Sequence, residues 1–212
     1  MRDLRPSLPP SAPGPHQQSY GGWIGSLRCV SVIVRRAVDA DADGLSRLAA
    51  LTFPLACTPQ TSAEFLATHI ATRLDPGSFR RHLADPACTV LLAEDADDDA
   101  DVETDPLAYT MLIAGEPTDD DVARAIRFRP TVSLERCYVH PDHHGSGLAA
   151  RLMAATLEAA EATGSAGIWL GVSEENDRAN AFYARHGFEL VGTKRFHIGD
   201  AGEDDNGRER AL

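Results

Sequence analysis

The chain has 212 residues, of which 43% are hydrophobic and 25% charged, and its formal net charge at pH 7 is −12. This length is enough to bury a core, and the balanced composition excludes wholesale disorder and a coiled coil. The acidic surplus makes nucleic acid and anionic membranes poor partners, because both are negatively charged.

The four cysteines lie 28 to 49 residues apart with no CxxC pair, a spacing that fits neither a zinc knuckle nor a small disulfide scaffold. They are Cys29, Cys57, Cys88 and Cys137. No apolar window reaches the roughly 18 residues of a membrane-spanning helix, and the N-terminus lacks the apolar segment of a secretory signal. We therefore predict a cytoplasmic protein with free thiols and no metal.

Residues 1–30 are rich in Pro, Ser and Gly and show no apolar periodicity. This composition predicts a disordered N-terminal extension, followed by one folded domain over residues 31–212. A start codon assigned too early and a functional tail are the alternatives for the extension.

Strands and helices are both predicted after residue 31. The predicted strands are 32–37, 89–93, 107–113, 131–139, 168–172, 188–191 and 194–198. The predicted helices follow Asp39–Asp43, start at Ser62, and span 77–84, 147–162 and 176–186. Pro54 is expected to end the first helix. Strands and helices alternate late in the chain and no period recurs, which indicates a single α/β domain.

The loop at residues 94–101 has Asp at alternate positions, as calcium loops do. Ala100 stands where such a loop needs glycine, and Pro106 stands where it needs glutamate. We therefore interpret this segment as a solvated hairpin loop.

The segment from Val139 to Met153 places a glycine loop between a strand and a helix. Backbone N–H groups of such a loop and the helix N-terminus form an anion site suited to a pyrophosphate. Residues 145–150 also satisfy the dinucleotide fingerprint G-x-G-x-x-A. That alternative is weak, because five residues separate Val139 from the first glycine and no acid occurs about 20 residues further on.

A second motif makes the first more specific. The first motif consists of Val139, Pro141, Gly147 and Ala149. The second consists of Asn176, Ala179, Phe182, Tyr183, Gly187 and Phe188. In this order and spacing, the sequence closely resembles the GCN5-related N-acetyltransferase (GNAT) superfamily. The resemblance implies an α/β (α+β) fold with a mixed, splayed sheet of six or seven strands and about four flanking helices. Residues 31–212 would then form the N-acetyltransferase domain, with the splay between strands 131–139 and 168–172.

Acetyl-CoA is the acetyl donor that the resemblance implies, with its pyrophosphate on the glycine loop and its pantetheine arm along the strand before it. The implied cofactor-binding residues are Cys137, Tyr138, Val139, His144, Gly145, Ser146, Gly147, Leu148, Ala149, Ala150 and Asn176.

The resemblance also implies direct transfer to a primary amine in a ternary complex. Tyr183 would protonate the departing CoA sulfur, and Glu135 is the candidate base for the amine. Cys137 is not expected to be a nucleophile. Residues 62–84 and 116–130 would line the acceptor side, and the acceptor is expected to be a small cationic molecule or a peptide amine. A homodimer is possible.

Two residues depart from the family patterns. Relatives that modify ribosomal-protein N-termini carry a glutamate where this chain has Gly171, and His144 occupies the Gln/Arg position of the loop motif. These departures are the only support for one alternative, a non-catalytic acyl-CoA-binding or sensing domain. The dinucleotide fingerprint leaves a second, less favoured alternative, a dinucleotide-binding oxidoreductase.

Overall fold

The computed structural model describes residues 31–58, 60–96, 105–198 and 201–212. The predicted extension 1–30 and most of the acidic hairpin loop lie outside the described residues. Within the described residues, no helix is both long and apolar enough to cross a membrane.

Seven strands form one sheet with helices on both faces. The strands are β1 (Val32–Arg36), β2 (Cys88–Asp95), β3 (Ala108–Ala114), β4 (Thr131–Val139), β5 (Gly167–Ser173), β6 (Glu189–Ile198) and β7 (Ala201–Ala211). The α-helices are α1 (Ala42–Ala56), α2 (Ala63–Arg73), α3 (Pro76–Ala84), α4 (Asp120–Ala125), α5 (Leu148–Glu161) and α6 (Asp177–Arg185). The predicted fold class is thus confirmed, with six α-helices in the described residues where about four were expected.

Two local predictions were wrong, and two elements were not predicted. Pro54 lies inside α1 and does not end it. Because Pro54 has no N–H, α1 loses one hydrogen bond there, and the helix ends two residues later at Ala56. The predicted strands 188–191 and 194–198 are one strand, β6. Helix α4 and strand β7 were not predicted, because α4 is only six residues long and β7 has no apolar alternation.

The strand order in the sheet is β1-β2-β3-β4-β5-β7-β6, so the last strand inserts between β5 and β6. Only β4 and β5 are parallel neighbours, and they pair solely between 131–133 and 167–169. Beyond these residues the two strands separate, which confirms the predicted splay. A bulge accompanies the separation: Leu112 pairs with Leu134 and Met111 with Arg136, which leaves Glu135 as the extra residue.

The sheet buries apolar side chains on both faces, which explains the nearly continuous apolar runs of β2 and β3. Helices α1 to α3 pack on one face around Leu45, Phe79 and Tyr109. Helix α5 packs on the other face through Leu152 and Met153, which are fully buried. Because α5 lies under β2, β3 and β4, the loop that precedes it is held at the end of β4.

Candidate active site

The separation of β4 and β5 opens two adjoining cavities. The loop cavity, of about 490 Å³, is bordered by residues 143–150 and by α6. The strand cavity, of about 370 Å³, lies between residues 134–138 of β4 and residues 169–173 of β5. The residues that line both are Ala56, Cys137, Tyr138, Asn176, Ala179 and Tyr183. The two cavities therefore share one wall at the centre of the cleft.

The glycine loop is built to present its backbone to the loop cavity. Gly145 and Gly147 have φ angles of 79° and 87°, in the left-handed region that disfavours other residues. A Cβ built on either glycine would meet no atom within 4 Å, so there is open space above the loop. Since Gly147 is also the N-cap of α5, the loop N–H groups and the helix N-terminus point to one anion site.

Nine of the eleven predicted cofactor residues line the loop cavity, and two do not. Leu148 is 3% exposed and packs in the core, so it can offer only its backbone. The Ser146 hydroxyl donates to the His143 carbonyl at 2.7 Å and accepts from the Leu148 N–H at 3.3 Å. The Ser146 side chain thus holds the turn together.

The outer edge of β4 is free along the cleft. His140 N–H donates to the Leu107 carbonyl, on the side of β3. Because backbone groups of successive strand residues point to opposite edges, those of Cys137 and Val139 face the cleft, where β5 no longer pairs. The Val139 carbonyl accepts from His144 Nε2 at 3.0 Å, and this leaves the Cys137 groups and the Val139 N–H for an extended ligand.

His144 bridges the loop and α6. Its Nδ1 lies 3.0 Å from Nη1 of Arg178, an exposed residue in the first turn of α6 that also lines the loop cavity. A guanidinium can only donate hydrogen bonds, so Nδ1 accepts and the ring proton is on Nε2. The loop is thereby tied to the opposite wall of the cleft.

Tyr183 lies on the shared wall, in contact with Cys137. Burial raises the pKa of Tyr183 well above its usual range, and the neighbouring Cys137 thiol raises it further. Burial likewise raises the pKa of Cys137 to about 11, opposed by its interaction with the Tyr183 hydroxyl. At neutral pH both groups are therefore protonated, and Tyr183 can act as a proton donor.

Two asparagines fix the position of α6 and hence of Tyr183. Asn176 caps the helix by accepting from the Ala179 N–H at 3.0 Å, which leaves its Nδ2 as a donor in the cleft. Asn180 donates to the Ser173 carbonyl at 2.9 Å and accepts from Arg208 Nε at 3.0 Å. Helix α6 is thus bonded to both β5 and β7.

The strand cavity has carboxylates on two sides. Glu135, exposed at the bulge of β4, lines one wall, and Asp205 of β7 lines the other. A Cβ built at Gly171 would lie 3.4 Å from Asp205 Oδ2, so the Asp205 carboxylate lies next to the backbone of Gly171. Val122 of α4 also lines this cavity, as expected for 116–130, whereas none of the residues 62–84 does. Helices α2 and α3 instead pack against the core, through Phe79 of α3 and through Leu74 at the end of α2.

Several residues of the cleft were not predicted from the sequence. Arg178 lies inside the second motif, between Asn176 and Ala179, and a cation facing a predicted phosphate site was a usable signal. Asp205 could not be placed because β7 itself was not predicted. Phe182, Arg185 and His186 also line the loop cavity, and their helical spacing after Asn176 is the only hint of it.

Comparisons with known proteins agree with this geometry. The model of the acetyltransferase (GNAT) family matches residues 59–188. An uncharacterized N-acetyltransferase of Mycobacterium tuberculosis is 37% identical over 165 residues, which are 78% of this chain and 94% of the relative. A Mycobacterium bovis relative of the same description matches equally well. The chain therefore belongs to the acetyltransferase (GNAT) family. It is an acetyltransferase, as the sequence resemblance implied.

Solved structures show the same fold. The PaiA N-acetyltransferase of Thermoplasma acidophilum, in complex with coenzyme A, has a TM-score of 0.65 at 15% identity, covering 86% of this chain and 99% of that one. The Escherichia coli ribosomal-protein-S18-alanine N-acetyltransferase has a TM-score of 0.58 at 15% identity, covering 85% and 93%.

Proposed function

We propose that the protein transfers the acetyl group of acetyl-CoA to a primary amine, directly, within a ternary complex. One observation carries this proposal: two cavities of different character meet at a shared wall that holds Tyr183. The loop cavity suits the donor and the strand cavity suits the acceptor. Residues 31–212 would constitute this acetyltransferase domain.

The loop cavity fits acetyl-CoA on three grounds. The open space above Gly145 and Gly147 and the N-terminus of α5 suit a pyrophosphate. The free edge of β4 at Cys137 and Val139 suits an extended pantetheine arm. Asn176 Nδ2 can donate to a carbonyl of that arm. Acetyl-CoA supplies the acetyl group as a thioester, and its binding to this chain is part of the proposal.

Tyr183 is proposed as the proton donor to the departing sulfur. A CoA-like thiol has a pKa of about 8.5 and tyrosine one of about 10, so transfer of the proton from a phenol to the free thiolate is uphill by about 2 kcal/mol, which is small beside a catalytic barrier. Tyr183 would donate its proton as the carbon–sulfur bond breaks and then regain one from solvent. The raised pKa of Tyr183 keeps its hydroxyl protonated through neutral pH. Backbone N–H groups of β4 at the cleft would stabilise negative charge that develops on the acetyl oxygen.

Glu135 is proposed as the base for the acceptor amine. A lysine-like amine with a pKa of about 10.4 is neutral in only about one of 2,500 molecules at pH 7, so assistance in deprotonation is useful. Glu135 lines the strand cavity at the bulge, beside the shared wall, which is the place for this role.

The acceptor is proposed to be a cationic amine, either a small molecule or a peptide. Glu135 and Asp205 give the strand cavity two carboxylates. Arg136 also lines this cavity, with its guanidinium 5.4 Å from the centre of the Phe79 ring of α3, so the two carboxylates outnumber its single positive charge. A solved structure of similar fold is a chimera that includes the spermidine N-acetyltransferase of Vibrio cholerae. Its TM-score is 0.58 at 18% identity, covering 85% of this chain and 95% of that one, and the spermidine in its name is an amine.

The test is CoA release, followed with a thiol reagent, over a panel of diamines, amino acids and peptide N-termini. Tyr183→Phe should lower kcat by about 10²–10³-fold while acetyl-CoA binding is retained. Glu135→Gln should shift the pH profile of the acetylation rate to higher pH, because deprotonation of the acceptor amine then relies on solvent. Absence of turnover on every amine, or an unaltered kcat in Tyr183→Phe, would contradict the proposal.

A further inference from the structure

We propose that Arg178 binds the phosphates of acetyl-CoA from across the cleft and that His144 positions it. This inference rests on the proposed use of acetyl-CoA. The positively charged residue that binds the phosphates would then lie on α6, whereas the sequence motif predicts phosphate binding by the glycine loop alone.

The position of Arg178 is the first argument. Arg178 lies in the first turn of α6, and its guanidinium reaches the loop side of the cleft, where Nη1 is 3.0 Å from His144 Nδ1. His144 immediately precedes Gly145, and all three residues line the loop cavity. A guanidinium held there adjoins the site that the glycine loop and the α5 N-terminus form.

The charge of Arg178 is the second argument. Within the part of the chain that the structure describes, no carboxylate forms an ion pair with this guanidinium; its one side-chain partner is the His144 ring. The chain as a whole carries a formal charge of −12, so a guanidinium with no ion-pair partner gives this part of the cleft a positive charge that favours an anionic ligand. Arginine can bind phosphate through two parallel hydrogen bonds.

The hydrogen bonds of His144 are the third argument. Its Nδ1 accepts from Arg178 and its Nε2 donates to the Val139 carbonyl at 3.0 Å. Both ring nitrogens are therefore committed, and the neutral ring has no donor left for a phosphate. His144 thus acts through Arg178, which it holds beside the loop; it is a positioning residue.

The experiment is calorimetric titration of the full chain with acetyl-CoA and with S-acetylpantetheine, which carries the thioester but no pyrophosphate or ADP. Arg178→Gln should weaken acetyl-CoA binding about tenfold or more and leave S-acetylpantetheine binding unchanged. Arg178→Lys, which keeps the charge without the fork, should recover part of the affinity. Arg124→Gln is the control, since it removes an exposed arginine of α4 outside the loop cavity.

A double-mutant cycle tests the part played by His144. His144→Ala should weaken acetyl-CoA binding in the wild-type background, but by less than about twofold when Arg178 is already Gln. Equal losses in both backgrounds would overturn the positioning role.

The outcomes separate the two proposals. If the wild type does not bind acetyl-CoA, the proposed function fails. If the wild type binds it but Arg178→Gln behaves like Arg124→Gln, or if both ligands lose affinity equally, the assignment of Arg178 to the phosphates fails.

Discussion

Tyr183 and Cys137 lie together as a neutral pair where the two cavities meet. The centre of the Tyr183 ring lies 5.7 Å from that of Phe188 and 5.5 Å from that of Phe182, so the tyrosine is packed in apolar surroundings. Apolar surroundings disfavour both the phenolate of Tyr183 and the thiolate of Cys137, which is why the pKa values of both groups are raised. The same environment that keeps the Tyr183 hydroxyl protonated keeps Cys137 as a thiol, which is a poor nucleophile.

We predict that Cys137 is unreactive at neutral pH and dispensable for chemistry. Its pKa of about 11 lies above that of a free thiol, so the thiolate is scarce below about pH 9 and increases as the pH rises toward 11. Iodoacetamide labelling, followed by peptide mass spectrometry across this pH range, should show that rise. The same peptide in denatured protein is the control and should label with a midpoint near 8.5.

Cys137→Ala should also retain kcat within about one order of magnitude, because direct transfer needs no acyl-enzyme. An acetyl adduct trapped on Cys137, or labelling of the folded protein with the profile of the denatured one, would contradict this.

At the scale of elements, the connection from α4 to β4 is secured by β7. Glu209 is fully buried, and its carboxylate accepts from the N–H groups of Arg127 and Phe128 at 2.7 and 2.9 Å and from Arg127 Nε at 3.0 Å. The same arginine also contacts the exposed Glu189 of β6 at 2.8 Å. This clamp ties β7 to the segment that leads into the strand of the proposed active site.

We predict that the two glutamates differ greatly in their contribution to stability. Glu209→Ala leaves two backbone N–H groups without their partner and should lower the free energy of unfolding by about 2–4 kcal/mol. Glu189→Ala removes only an exposed ion pair and should cost less than about 1 kcal/mol. Urea denaturation of both variants measures the difference. Equal losses would show that the buried carboxylate is not what secures β7.

At the scale of the whole molecule, local periodicity and motif spacing were enough to predict most of the secondary structure and the fold class. Apolar runs predicted most of the strands and helices. The mixed sheet and its splay were implied by the family resemblance, which Gly147, Asn176 and Tyr183 carry with the rest of the two motifs. The insertion of β7 could not be predicted, because residues 201–211 are almost wholly polar and are held by cross-strand pairing and by Glu209. The pairing of His144 with Arg178, 34 residues apart, needed the fold.

The most direct test of the central claim is a thermal-shift titration of the full chain with acetyl-CoA and, in parallel, with NAD. Acetyl-CoA at about 100 times its Kd should stabilise the protein by about 2.7 kcal/mol, which raises Tm by roughly 5–10 °C for a domain of this size. NAD should give no shift, because the cleft is proposed to bind an extended pantetheine arm between diverging strands. No shift with acetyl-CoA, or an equal shift with NAD, would contradict the account.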